Sequence, residues 1–314
     1  MDYYISLDVG GSKILGALFD ALGTIVETKK VKTFASRGTD FVYSQIKLVI
    51  DTLMPSRKKV KGICVIVPGI VFNHDFVEFC PNVPFEHFPL GMLLREEYDT
   101  TVVLGNDVNL AVFGEWKSLD RSIDHAIGVF VGTGVGGGLI LNRRLYTGQG
   151  GGGELGHIVL QPHGARCGCG NEGCLEAYAS KTGMLRRILT AQARGRASML
   201  YQYLKQDGSM ITSEAFRICY EAGDDLAIEL IDDASYLLGL AVANFHNILH
   251  PDIFIFGGGV MESLNPVMLP KVFDVAKANS MPSLGTSLYF SMSQLGDNAG
   301  IVGGFHLINE AVNA

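Results

Sequence analysis

A chain of 314 residues exceeds a typical single domain, so two domains sharing a cleft are expected. With 47% hydrophobic and 18% charged residues it can bury a substantial core, which excludes a disordered chain. Its 25 basic residues against 32 acidic ones leave a formal charge of −7, so no general attraction to nucleic acid is expected.

In chain order, the apolar run from Tyr3 to Leu7 predicts a buried strand, broken by Asp8-Val9-Gly10-Gly11-Ser12-Lys13. A second strand, Ile14 to Phe19, follows at once, and a third runs from Val26 to Phe34 after a Leu22-Gly23 turn. Strand, glycine turn, strand, with no helix between, argues against a dinucleotide-binding crossover. No G-x-x-x-x-G-K-[ST] phosphate loop occurs either. Bare N–H groups at Gly10 and Gly11 and the Ser12 hydroxyl can approach phosphate oxygens, and Asp8 can hold Mg²⁺ through water. Taken alone, the same residues can equally form no more than a hairpin turn.

A helix is expected near Phe41–Met54, a strand at Gly62–Val67, and a turn at Pro68-Gly69. Asn82 lies in Pro81-Asn82-Val83-Pro84, ahead of a short helix near Leu90–Tyr98 and a strand at Thr101–Leu104. Gly105-Asn106-Asp107-Val108-Asn109 then leads into a helix from Leu110 to Trp116, where a lone acid is by default a helix cap. Ala126 to Val131 predicts a strand, Gly132-Thr133-Gly134-Val135-Gly136-Gly137-Gly138 a turn, and Leu139 to Leu141 the returning strand. The strand–glycine–strand pattern of the N-terminus thus recurs, which suggests a duplicated half-domain.

The next stretch, Glu154 to Glu176, gathers His157, Cys167, Cys169 and Cys174 into one loop. Three thiols and an imidazole are the donor set zinc prefers, and four ligands close its tetrahedron, so such a metal is structural. Disulfides or idle thiols are the competing reading. Against it, Cys167 and Cys169 have only Gly168 between them, and three cysteines leave one over. Helices are expected at Ala177–Arg194, Ala197–Lys205 and Ser213–Ala222. A long amphipathic helix follows, Asp224 to Leu249, with apolar residues at Leu226, Leu230, Leu237, Leu238, Ala241, Phe245 and Ile248, ended by Pro251. A short strand, Ile253 to Phe256, feeds Gly257-Gly258-Gly259, where bare backbone suits either a flat ring or a close helix–strand crossing. A terminal helix opens within Asp297–Gly304.

The pattern E-x-G-H followed by C-x-C-G-x-x-G-C-x-E, which ends here at Cys174-Leu175-Glu176, resembles the signature of the ROK family of repressors and sugar kinases. The resemblance extends over essentially the whole chain. It implies an α/β, two-domain actin-like ATPase fold of the sugar-kinase type with a zinc-binding loop. The division it implies is a smaller domain of residues 1–121 with 299–314, the terminal helix packing back on it, and a larger one of 122–298. It further implies an ATP-dependent kinase acting on a hexose, with glucose expected first and N-acetylhexosamines, allose or fructose as alternatives. In that family the acid matching Asp107 is the catalytic base. Residues matching Gly69, Asn82, Asn106, Asp107, Glu154, His157 and Glu176 meet the sugar. Those matching Asp8, Gly10, Gly11, Ser12, Lys13, Gly132, Thr133, Gly134 and Gly136 meet the phosphates with Mg²⁺, and Gly257, Gly258 and Gly259 cover the adenosine. His157, Cys167, Cys169 and Cys174 hold the structural Zn²⁺, and a homodimer is expected.

A sugar-responsive repressor is the second expectation. It would carry a helix-turn-helix ahead of this domain, and the first strand here starts at Tyr3 with no helix-turn-helix expected before it. No signal peptide is read at the N-terminus, and the longest uncharged run, Ala126 to Leu141, is broken by glycines and short of a membrane span. Cys64, Cys80 and Cys219 read as buried thiols of a reducing compartment, so a cytoplasmic location is expected.

Overall fold

A computed structural model of the chain describes residues 2–54, 60–119, 122–204 and 211–313. The expected domain boundary at residue 121 and the expected helix end at Lys205 lie outside the described residues.

The first sheet is built from β1 (Tyr3–Val9), β2 (Lys13–Asp20) and β3 (Ile25–Lys32), an antiparallel meander rich in β-branched and aromatic residues. The chain then crosses through α1 (Thr39–Leu53) to β4 (Val60–Val67), parallel to β1. Three short strands, β5 (Ile70–Phe72), β6 (Phe76–Phe79) and β7 (Glu86–Phe88), make a small separate sheet. After α2 (Leu90–Tyr98) the chain returns as β8 (Thr101–Asn106), parallel to β4, and enters α3 (Asp107–Lys117). The strand order is β3-β2-β1-β4-β8.

The second half repeats this plan. β9 (Ala126–Val131), β10 (Val135–Leu141) and β11 (Arg144–Tyr146) form the meander. The cysteine loop, α4 (Glu176–Ala179), α5 (Lys181–Ala193), α6 (Ser213–Glu221) and α7 (Asp225–Leu249) follow before β12 (Ile253–Gly257), parallel to β9. Then come α8 (Gly259–Asn279), β13 (Phe290–Met292) and α9 (Ala299–Asn313). The order β11-β10-β9-β12-β13 matches the first sheet strand for strand, so the recurrence of the glycine hairpin does mark a structural repeat.

Where the two halves meet, α3 and α9 supply most of the packing. Leu110, Val112, Phe113 and Trp116 of α3 and Ile301, Phe305 and Ile308 of α9 share one buried cluster with Ile66 of the first sheet and Ile140 and Ile255 of the second. The helices approach closely because Gly303 lies against the backbone of Leu110, and Gly114 against Ala299, where a Cβ would collide. The cleft therefore rests on a dry, close-packed floor.

Several elements differ from expectation for identifiable reasons. The second glycine turn is only Gly132-Thr133-Gly134, since β10 already starts at Val135 and absorbs Gly136, Gly137 and Gly138. Two of those glycines are set by packing on α3: a Cβ on Gly136 would lie 2.6 Å from Val108, and one on Gly138 2.8 Å from Val112. The helix expected from Ala177 is interrupted at Ser180, which is extended and caps α5 by accepting from the Gly183 N–H. The segment expected as helical from Ala197 is a 3₁₀ turn, Met199–Tyr203. Helix α8 has no counterpart among the expected elements because Pro266 and Pro270 lie inside it. Pro266 leaves the Glu262 carbonyl without its helical donor, and the Asn265 side chain donates to that carbonyl instead, at 3.0 Å.

Candidate active site

A cavity of about 920 Å³ opens between the halves. Its floor is the junction of β8 and α3. Asn106 ends β8 in extended conformation and is the true N-cap: its Oδ1 accepts from the N–H groups of Val108 and Asn109, both at 3.0 Å. Its Nδ2 donates to the Gly69 carbonyl at 3.0 Å, tying the Pro68-Gly69 turn to the floor. The cap that a lone acid would supply by default thus comes from its neighbour. Asp107, half-buried in the first turn, lines the cavity and accepts from the Val108 N–H at 2.9 Å through Oδ1.

The Asp107 carboxyl is pushed up to about 7, first by burial and then by the nearby Asp8 and Glu154 carboxylates, against the opposing hydrogen bonds from the backbone of Val108 and of Asp107 itself. Burial likewise raises Asp8, with Lys13 opposing. Cys80, also close to Asp107, is pushed up to about 12, first by its own burial and then by that charge.

Of the two sequence-predicted phosphate turns, the second lines the cavity through Gly132, Thr133 and Gly134, whereas Asp8, Gly10, Gly11, Ser12 and Lys13 of the first are not part of its wall and meet it through Asn82. In the first, the Gly10 N–H donates to the Lys13 carbonyl at 2.9 Å, closing a tight hairpin. Ser12 at its tip is exposed, and Lys13 forms an ion pair with Asp297 at 3.0 Å. The bare Cα of Gly11 lies against Asn82, whose carbonyl would be 2.7 Å from a Cβ there, so the Pro81–Pro84 segment packs onto the turn. In the second, the Gly132 N–H donates to the Gly134 carbonyl at 2.9 Å, and space is open beside Gly132, whose Cβ would meet nothing nearer than 4.0 Å. Gly257 lies against the Phe130 ring, Gly258 adopts φ 83° as the residue capping α8, and Gly259 begins that helix near Ser213. Of these three, only Gly258 lines the cavity.

The third wall is the cysteine loop. The donor atoms of His157, Cys167, Cys169 and Cys174 all lie within 4.8 Å of one another. His157 Nδ1 is 3.6 Å from Cys167 Sγ, and Cys169 Sγ is 3.7 Å from Cys174 Sγ. A zinc ion with bonds of about 2.0–2.3 Å sets tetrahedral edges of roughly 3.5–3.8 Å, so the cluster fits it. Disulfide bonding, at about 2.05 Å, does not describe these thiols, and all six cysteines of the chain are free. With Nδ1 toward the sulfurs, His157 turns Nε2 toward Glu154, 3.8 Å from its carboxylate. Glu176 extends one oxygen to 3.6 Å from Cys167 Sγ and accepts from the Val135 N–H at 3.0 Å with the other. One carboxylate thus joins the cysteine loop to the second phosphate turn.

Among the cavity residues that the sequence reading passed over are Asn109 and Arg186. Asn109 is buried, holds the Gly152 carbonyl at 3.1 Å and leaves Oδ1 without a partner among the described residues. It was legible as the last residue of Asn106-Asp107-Val108-Asn109. Arg186 carried no local signal beyond its place on a helix following the loop.

Paired sheets of identical strand order, each opening with a glycine hairpin and flanking a shared cleft, define an actin-like ATPase fold. The chain belongs to the ROK family, whose family model matches residues 4–311. It is 31% identical over 320 residues to the glucokinase of Halalkalibacterium halodurans, covering 99% of this chain and 96% of that protein. It is 32% identical over 319 residues to the glucokinase of Thermotoga maritima, covering 98% of each. The xylose repressor of Bacillus subtilis is 28% identical over 96% of this chain and 75% of its own length. Among solved structures, the ROK hexokinase of Thermus thermophilus superposes with a TM-score of 0.83 at 26% identity, covering 99% of both chains. A ROK glucokinase of Streptomyces griseus in complex with glucose and AMPPNP gives 0.77 at 28%, covering 98% of this chain and 99% of that one. These likenesses make the protein a sugar kinase of this family.

Proposed function

We propose that the protein is an ATP-dependent hexose kinase that phosphorylates glucose, with Asp107 as general base. The observation that carries the reading is Asp107 itself: a carboxyl on the cavity floor, freed from capping by Asn106 and raised to about 7 by burial. A base with that pKa is half-ionised at neutral pH and matched to a hydroxyl proton. Glucose is favoured by the whole-length likeness to two glucokinases and by the glucose and AMPPNP in the Streptomyces griseus complex.

In this reading the Asp107 carboxylate accepts the proton of the attacking sugar hydroxyl. Glu154, His157 through Nε2, Glu176 and Asn82 orient the other hydroxyls, and Asn106 acts through the floor it caps. The turns at Gly10–Gly11 and Gly132–Gly134 receive the ATP phosphates, and Gly258 at the start of α8 lies beside the adenosine. Ser12 would approach the phosphate oxygens, and Asp8 is the residue that would hold, through water, Mg²⁺, which when bound neutralises charge on the phosphates. Zinc suits the four donors of the cysteine loop and would keep Glu154, His157 and Glu176 in register. Residues 1–121 with 299–314 form one lobe and 122–298 the other, the two closing over the ligands.

A coupled assay with Mg-ATP and glucose, N-acetylglucosamine, N-acetylmannosamine, allose and fructose tests the reading, with the highest kcat/KM expected for glucose. The likeness to the xylose repressor supports a second reading, a regulator that binds sugar. Sugar binding without turnover on any of the five would favour it and reject the kinase.

A further inference from the structure

Behind the cysteine loop lies a second cavity of about 590 Å³, lined by five arginines, Arg166, Arg186, Arg187, Arg194 and Arg196, and by Glu229. For a chain of net charge −7 this concentration of guanidinium groups is out of proportion. The carboxylates present do not balance it. Arg187 pairs through Nη2 with Glu229 at 3.2 Å and Asp233 at 2.6 Å, and Arg196 pairs with the same Glu229 at 2.6 Å. Among the described residues, Arg166, Arg186 and Arg194 have no carboxylate within ion-pair distance. Moreover, Arg187 Nη1 is buried and has no hydrogen-bond partner among the described residues. A buried donor without a partner is costly, and an anion in the cavity is the group that would satisfy it.

The remaining wall is apolar, with Ala177, Ala191 and Leu226 contributing, so the cavity offers charge on one side and a dry surface on the other. Its volume falls within the usual range for small-molecule sites. Planar guanidinium forks match phosphate oxygens in pairs. We propose that this cavity binds a small phosphate monoester, its phosphate held by Arg187 and Arg194 and its organic body lying on Ala177 and Leu226. Such a ligand would act close to the cleft. Arg186 lines both cavities, its Nη1 donates to the Arg166 carbonyl at 3.2 Å, and Arg166 directly precedes the metal-ligand candidate Cys167.

The test is calorimetric titration of the full chain with inorganic phosphate, glucose 6-phosphate and AMP, three probes that separate a bare anion, a sugar ester and a nucleoside ester. It is run on the wild type, Arg194→Glu and Gly132→Val, the last obstructing the phosphate turn of the main cleft. For at least one probe, Arg194→Glu should weaken binding about 10-fold or more, the order expected for losing a charge-assisted contact, while Gly132→Val leaves it unchanged. Arg194→Gln, which only neutralises the exposed side chain, should show a smaller loss of the same sign. Absence of binding for all three probes overturns the proposal, as does binding lost only in Gly132→Val. Because no turnover is measured, a failure here is separate from any failure of the kinase reading.

Discussion

Replacing Asp107 by Asn should remove the proposed base while keeping the shape of the floor, because the amide oxygen can still accept from the Val108 N–H. Loss of general-base assistance predicts a fall in kcat of at least ~10²-fold with sugar binding retained. The same substitution should also change stability in a pH-dependent way. The folded carboxyl is raised from 3.8 to about 7, so between those values the folded chain holds a proton that the unfolded chain has released. Stability therefore falls as pH rises from about 4 to 7, and the loss is complete above the folded pKa. At about 1.4 kcal/mol per pKa unit, the rise corresponds to at most roughly 4 kcal/mol, and the partial solvent access of the group reduces this. Asp107→Asn lacks this penalty. Its melting temperature should match the wild type near pH 4 and exceed it at pH 8, while wild-type kcat/KM rises with pH toward a plateau above about 7. Coupled-assay pH profiles and thermal melts at both pH values measure this. Near-normal turnover in the variant, or a wild-type profile flat across pH 5 to 8, would refute the reasoning.

Metal analysis should find about one zinc per chain, and Cys169→Ser should lose it together with activity; a preparation that is active, metal-free and inactivated by reductant would favour disulfides instead. Gly132→Val should raise the KM for ATP several-fold and spare the sugar, since its Cβ enters open cleft; an equal rise in both would assign that turn a structural role. Glu176→Ala should raise both KM values, because its carboxylate touches both the cysteine loop and the Val135 N–H; a sugar-only effect would break the proposed link.

The parts of the site that were legible in the sequence are those where backbone geometry or donor chemistry leaves few choices. Cys167, Cys169, Cys174 and His157 could be grouped because their spacing lies within one short loop, and the turns at Gly10 and Gly132 because each interrupts a run of apolar strand residues. Gly136 illustrates the limit. In the sequence it is one more glycine of a rich turn, whereas in the fold its missing Cβ makes room for Val108 of a helix arriving from elsewhere in the chain. Helix α8 was invisible for a related reason: two prolines speak against a helix locally, and only a side-chain donor from Asn265 and burial of Val260, Leu264 and Met268 reveal what compensates. Likewise, the division of labour between Asn106 as cap and Asp107 as free acid depends on hydrogen bonds that residue order alone does not assign.

The position of Glu176 alters what the cysteine loop is for. A loop that only held sugar-binding residues would leave nucleotide binding untouched when its metal was lost. Here the carboxylate that approaches Cys167 Sγ also accepts from the Val135 N–H beside the turn, and a Cβ on Gly134 would sit 2.5 Å from that same accepting oxygen. The first residue of α4 therefore bridges the metal loop and the phosphate turn. Unfolding the loop by removing the ion should release that carboxylate and loosen the turn as well. Cys169→Ser should then raise the KM for ATP along with the larger rise for the sugar, so that the two substrates fail together from a lesion that lies against neither phosphate turn.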